Sequence, residues 1–130
     1  MRGKIQNRDR AKQLRDFTGL RFGSITPTDV DGFVEFRDKL FVWIEAKLAG
    51  APVEQGQRMA LERVCDAVSE TERMAVVLVV DHNTEPTEDI DFASCSVREW
   101  RYLGEWREPV RPITCRAAID TLLDKAHILL

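Results

Sequence analysis

The chain has 130 residues and a formal charge of −3, with 44% hydrophobic and 32% charged residues. That length suits a single domain with its own core, and the composition is that of a globular chain, not a disordered or fibrous one. No apolar run approaches the ~20 residues of a membrane span, which leaves no membrane among the expected partners.

Charge is unevenly placed. Residues 1–22 carry seven basic and two acidic side chains, a local balance of +5, so the rest of the chain is at −8. A basic arm on an acidic body can contact phosphates while the body gathers carboxylates; a solvated helix face is the plainer reading of the same run. The polar, basic start lacks the apolar stretch of a secretory signal. Cys65, Cys95 and Cys115 are odd in number and far apart, with neither metal-ligand spacing nor a disulfide framework. The expected setting is therefore reducing and cytoplasmic.

In chain order, residues from about 7 to 17 read as a helix with Ala11, Leu14 and Phe17 on one weak apolar stripe. Gly19 and Gly23 end it, and residues 24–27 form a connector. Residues 32–36 and 40–47 read as two strands joined near Arg37-Asp38-Lys39. Opposed residues of an antiparallel pair share a face. Pairing Asp31 with Glu45 aligns Gly32 with Ile44, Phe33 with Trp43, Val34 with Val42, Glu35 with Phe41 and Phe36 with Leu40. One face then holds only Val34, Phe36, Leu40, Val42, Ile44 and Ala46. The other carries Asp31 and Glu45 at one end, with Lys47 beyond. A one-residue slip destroys that segregation. The register needs a three-residue turn, a type that usually includes a Gly, and none is present.

After the loop Gly50-Ala51-Pro52, a helix is expected from about Val53 to Thr71, with Gln57, Ala60, Leu61, Val64 and Val68 inward. Residues 75–80 form a continuous apolar run, as in a strand buried on both faces. Strand, helix, strand makes a parallel unit with a right-handed crossover. That places Lys47, Asp81 and His82 at one sheet edge, beside the start of the helix carrying Gln57. Residues 84–91 read as an acidic loop. Residues 97–102 and 105–107 suggest a final hairpin, and Thr114 caps a last helix with Ala117, Ala118, Leu122 and Ala126 inward.

Two carboxylates and a lysine meeting at a sheet end can hold a hard divalent cation and offset charge developing on a phosphodiester. The run Pro27-Thr28-Asp29-Val30-Asp31, followed by Glu45-Ala46-Lys47 and Gln57, resembles the PD-(D/E)XK nuclease superfamily. Within it, the wording is most similar to small phage and prophage nuclease-like proteins. The resemblance implies an α/β, restriction-endonuclease-like fold: an αβββαβ core, with a mixed sheet flanked by helices and a C-terminal hairpin and helix as elaboration. It requires one more short strand before Asp29. It divides a single domain into a basic N-terminal arm or helix (1–22), a core holding the site (24–82) and the C-terminal hairpin and helix (97–130).

Carried over by residue, the resemblance makes Asp31 and Glu45 the metal-binding acids, with the Ala46 carbonyl as a third donor. Lys47 becomes the catalytic lysine, and Gln57 the glutamine that follows it on the next helix. A Thr stands between Pro27 and Asp29, so either Asp29 or Asp31 can be the first ligand; strand register and spacing to Glu45 favour Asp31. Asp9 and Asp16 are candidates for the extra acid some members supply from the first helix, although a solvated helix charge is the simpler account of each. His82 reads more simply as a loop residue. Trp100, Tyr102 and Trp106 could stack bases, but core packing explains aromatic strands better.

The implied activity is Mg²⁺-dependent hydrolysis of DNA, with Mn²⁺ able to substitute, RNA a further substrate and a homodimer possible. The alternative is a catalytically inactive module of the same fold that binds nucleic acid or protein. A phage structural or inhibitory protein without a nucleic-acid role is the third reading, and the acidic body is its best support.

Overall fold

The computed structural model describes residues 13–130. Seven elements build it: β1 (Gly32–Phe36), β2 (Leu40–Leu48), α1 (Gln55–Ser69), β3 (Met74–His82), β4 (Ser96–Tyr102), β5 (Glu105–Arg107) and α2 (Cys115–Lys125). The strands form one five-stranded mixed sheet in the order β1-β2-β3-β4-β5. Only β2 and β3 are parallel, and α1 connects them. The fold is α/β.

The β1–β2 register is the one demanded by hydrophobic segregation, from Gly32 opposite Ile44 to Phe36 opposite Leu40. Val34, Phe36, Leu40, Val42, Ile44 and Ala46 all join one core. On the opposite face, Phe33, Phe41 and Trp43 form an aromatic group with centroids 5.2–6.4 Å apart. The glycine-free turn is accommodated by left-handed backbone at Arg37 and Asp38, a conformation that aspartate tolerates better than most residues. Asp38 is then held on both sides. Its N–H donates to the Glu35 carboxylate, and its own carboxylate accepts two bonds from Arg73, at 2.7 and 2.8 Å.

Each sheet face has its own core because successive strand residues point to opposite sides. Val76, Leu78 and Val80 pack with α2, and Ala75 and Val77 pack with α1. Residues 75–80 are all buried, as their unbroken apolar run required. Fully burying a side chain the size of Leu40 stabilises by about 1.5–3 kcal/mol. Thr114 caps α2 by accepting a bond from the Ala117 N–H at 3.2 Å.

Four expectations need correction. Residues 13–17 are not helical; a single 3-10 turn follows at Thr18–Leu20, and the rest of the expected first helix lies outside the described residues. No strand precedes Asp31 among the described residues; an isolated bridge, Phe22 to Ile25, stands there instead. The αβββαβ order is therefore reproduced only from its second strand onward. In α1 the inward residues are Leu61 and Cys65, with Val68 partly covered, whereas Ala60 and Val64 are exposed. Finally, Ala117 is exposed, and Ile119 and Leu123 take inward places beside Ala118, Leu122 and Ala126.

Candidate functional site

The β2 strand carries the centre of the site. Beyond Gly32 the β1–β2 ladder ends, and the Ala46 N–H is met instead by the Asp31 carboxylate, whose Oδ2 accepts it at 2.9 Å. Asp31 thus continues the pairing with its side chain, which brings it beside Glu45. Glu45 and Lys47 are two apart on β2 and share a face; the Lys47 ammonium lies 3.4 Å from Glu45 Oε1.

Glu45 is only 2% exposed and is the buried charged residue of the described chain. Its second oxygen, Oε2, is buried without a hydrogen-bond partner among the described residues. Burial comes first, and the Asp31 carboxylate second, among the causes that push the Glu45 carboxyl from 4.5 up to about 7; Lys47 and the Gln57 amide pull in the other direction. A buried acid with a like charge beside it and an open oxygen lacks positive charge. Such a site suits a hard cation, and these residues fit one in donor type: two carboxylates with the Ala46 carbonyl adjacent. Among the described residues, however, no group of three or more His, Cys, Asp or Glu side chains converges.

Gln57 sits in the first turns of α1, one and two turns ahead of the buried Leu61 and Cys65. Its amide donates to the Asp29 carbonyl at 3.1 Å, tying the segment that presents Asp31 to the helix. The Asp29 carboxylate is turned to Arg15, at 4.0 Å, while Asp31 is the acid that bears on Glu45. Asp31, Glu45, Lys47 and Gln57 are thus brought together, and Asp29 enters through its backbone.

The remaining candidates stand apart. His82 pairs in register with Leu48, so it lies on the face opposite Lys47 and Asp81, and its Nδ1 bonds Thr84 Oγ1 at 2.9 Å. Asp16 accepts bonds from the Thr18 N–H and hydroxyl, at 3.0 and 2.8 Å, and starts the 3-10 turn. Asp9 lies outside the described residues. Trp100 and Tyr102 pack on the α2 side of the sheet, and Trp106 packs on the α1 side with its ring N–H donating to Glu62 at 2.7 Å.

Arg98 was not singled out from the sequence. A β-bulge between Val79 and Val80 leaves it as the extra residue of β4, and bulges re-aim side chains. Its guanidinium donates to Asp81 Oδ1 at 2.9 and 2.6 Å and to the Ala51 carbonyl at 2.6 Å. It fixes the end of β3 to the loop leaving β2, immediately past Lys47. The sequence hints only at an irregularity, since Val97-Arg98-Glu99-Trp100 sets two charges in succession where a strand should alternate; the partners of Arg98 follow from the bulge. Beside it, Arg58 reaches Glu99 at 2.6 Å and lies 4.0 Å over the Trp106 ring, locking α1 onto the hairpin.

Compared with protein-family models, curated proteins and solved structures, the chain finds no match. Among the described residues no helix is long and apolar enough to cross a membrane.

Proposed function

We propose that the protein is a divalent-cation-dependent nuclease that hydrolyses DNA phosphodiester bonds. The observation carrying this reading is Glu45, a buried carboxyl with an unpartnered oxygen, held between Asp31 and Lys47. Asp31, Glu45 and the Ala46 carbonyl would hold Mg²⁺, with Mn²⁺ as a substitute. When bound, the cation supplies Lewis-acid stabilisation of charge on the phosphoryl oxygens. Lys47 Nζ orients the attacking water and offsets the charge that develops at phosphorus. Gln57 keeps the Asp29–Asp31 segment against α1, which holds the Asp31 carboxylate in place. The three cysteines are free and buried, which supports a reducing, cytoplasmic setting; a bacterial host or a phage as source rests on the resemblance alone.

Two observations favour a second reading, a non-cleaving module of similar fold that binds nucleic acid or protein. Among the described residues only two acids meet at the site, and one oxygen of Asp31 is already committed to the Ala46 N–H.

A panel of linear, nicked, branched and single-stranded DNA, with RNA alongside, separates the two. Cleavage is expected with Mg²⁺ or Mn²⁺ and none with chelator, and Asp31→Ala should lower the rate by about 100-fold or more. Salt-dependent DNA binding without cleavage selects the binding module. A folded protein that binds neither nucleic acid nor cation defeats the nuclease and leaves of the second reading only a module that binds protein.

A further inference from the structure

A second concave site lies on the opposite side of the sheet. Its floor is Leu78 and Trp100 from β3 and β4, one wall is Leu122 of α2, and its lip is the connector at residues 109–113. The cleft encloses about 390 Å³, within the range of small-molecule pockets. It is independent of Asp31 and Glu45, since Leu78 and Val79 alternate across the sheet and Glu45 shares the Val79 face.

Two features bear on what would fill it. The interior is almost wholly apolar, yet both charged residues that line it are cations, Arg111 and Lys125. Neither is paired with a carboxylate among the described residues; the Lys125 ammonium lies 4.8 Å over the ring of Tyr102, itself part of the wall. That contact stations a positive charge at the margin of an apolar cavity in a chain whose net charge is negative. The connector also spends apolar surface there, with Val110 98% exposed on the lip.

From this charge complementarity we infer that the cleft binds a small amphiphilic anion, with an apolar body seated against Leu78, Trp100 and Leu122 and a carboxylate or sulfonate at Arg111 and Lys125. The apolar body supplies most of the affinity through area removed from water, and the two cations set polarity and orientation.

The test is titration with 8-anilinonaphthalene-1-sulfonate, followed by displacement with decanoate or decan-1-ol. Saturable binding is expected, with decanoate displacing the probe at least tenfold more effectively than the alcohol. The double variant Arg111→Glu/Lys125→Glu should weaken decanoate at least tenfold while its circular dichroism and melting temperature match the wild type. Amide shifts in a labelled sample should fall on the cleft and spare Asp31, Glu45 and Lys47. Equal displacement by decanol, or affinity unchanged in the double variant, overturns the anion assignment. Absence of saturation overturns the site. A concentration-dependent dimer that Val110→Asp dissociates would show that a second copy occupies the cleft, and would also overturn the inference.

Discussion

Glu45→Gln is expected to produce a protein that is more stable at pH 8 and devoid of cation-dependent cleavage. The folded carboxyl is raised from 4.5 to about 7, first by burial and then by Asp31. Between those two values the folded protein keeps a proton that the unfolded chain has released. The neutral form's contribution is therefore complete below about pH 4.5 and is lost as pH rises through 7. A shift of that size corresponds to about 3 kcal/mol. Glutamine keeps the shape without the charge, so urea unfolding at pH 8 should show a gain of about 2–3 kcal/mol, and the two proteins should converge near pH 4.5. By the scaling of small domains the gain is a rise of roughly 5–10 °C in Tm. Mg²⁺ at a hundred times Kd should remove most of that difference, because it stabilises only a protein that binds it, by about 2.7 kcal/mol. A wild type that gains nothing from Mg²⁺ or Mn²⁺ would remove the cation from the proposed site.

Lys47→Ala should lower cleavage by about 100- to 1000-fold, as for loss of a group that stabilises developing charge. Its effect on stability should depend on pH. Lys47 lies 3.4 Å from Glu45 and restrains the rise of the Glu45 pKa; without it, that carboxyl moves further up. Near pH 5 Glu45 is neutral in either protein, and the variant should lose little. Above pH 8 the charge must be buried alone, and a loss of about 1–3 kcal/mol is expected, below the full cost of breaking a wholly buried pair because Lys47 is partly solvated. In Glu45→Gln/Lys47→Ala the pH-dependent part should vanish. Full cleavage retained by a folded Lys47→Ala would end the role given to this residue.

Strand register was the most legible part of the fold. A period of two leaves one pairing of residues 31–36 with 40–45 that makes one face wholly apolar, and that pairing also carries Asp31 to Glu45. Helix phase was less legible. Ala60, Leu61, Val64 and Cys65 are all apolar, so two adjoining stripes competed. The hairpin decided between them: Arg101 holds Asp66 through two bonds, at 2.9 and 2.6 Å, and turns Cys65 rather than Val64 inward. Residues 13–31 misled for the opposite reason, since Leu14, Leu20, Phe22, Ile25 and Val30 find no partner face among the described residues and the 3-10 turn and bridge that form there rest on local bonds. The site's acids and lysine were legible because one strand and its neighbour bear them. Arg98 was not, because its position depends on a bulge three strands away from Asp31.

The sheet order has a dynamic consequence for the site. Glu45 and Lys47 belong to β2, which is paired on both sides, but Asp31 precedes β1, a five-residue edge strand with one neighbour. Edge strands open locally at far less cost than the centre of a sheet. Fraying of β1 releases the Ala46 N–H and carries Asp31 away from Glu45 in the same event. The two acids are therefore joined by a hinge, and a ligand held by both would act as its latch. Amide protons of β1 should exchange more slowly when such a ligand is present, because the local opening must first release it.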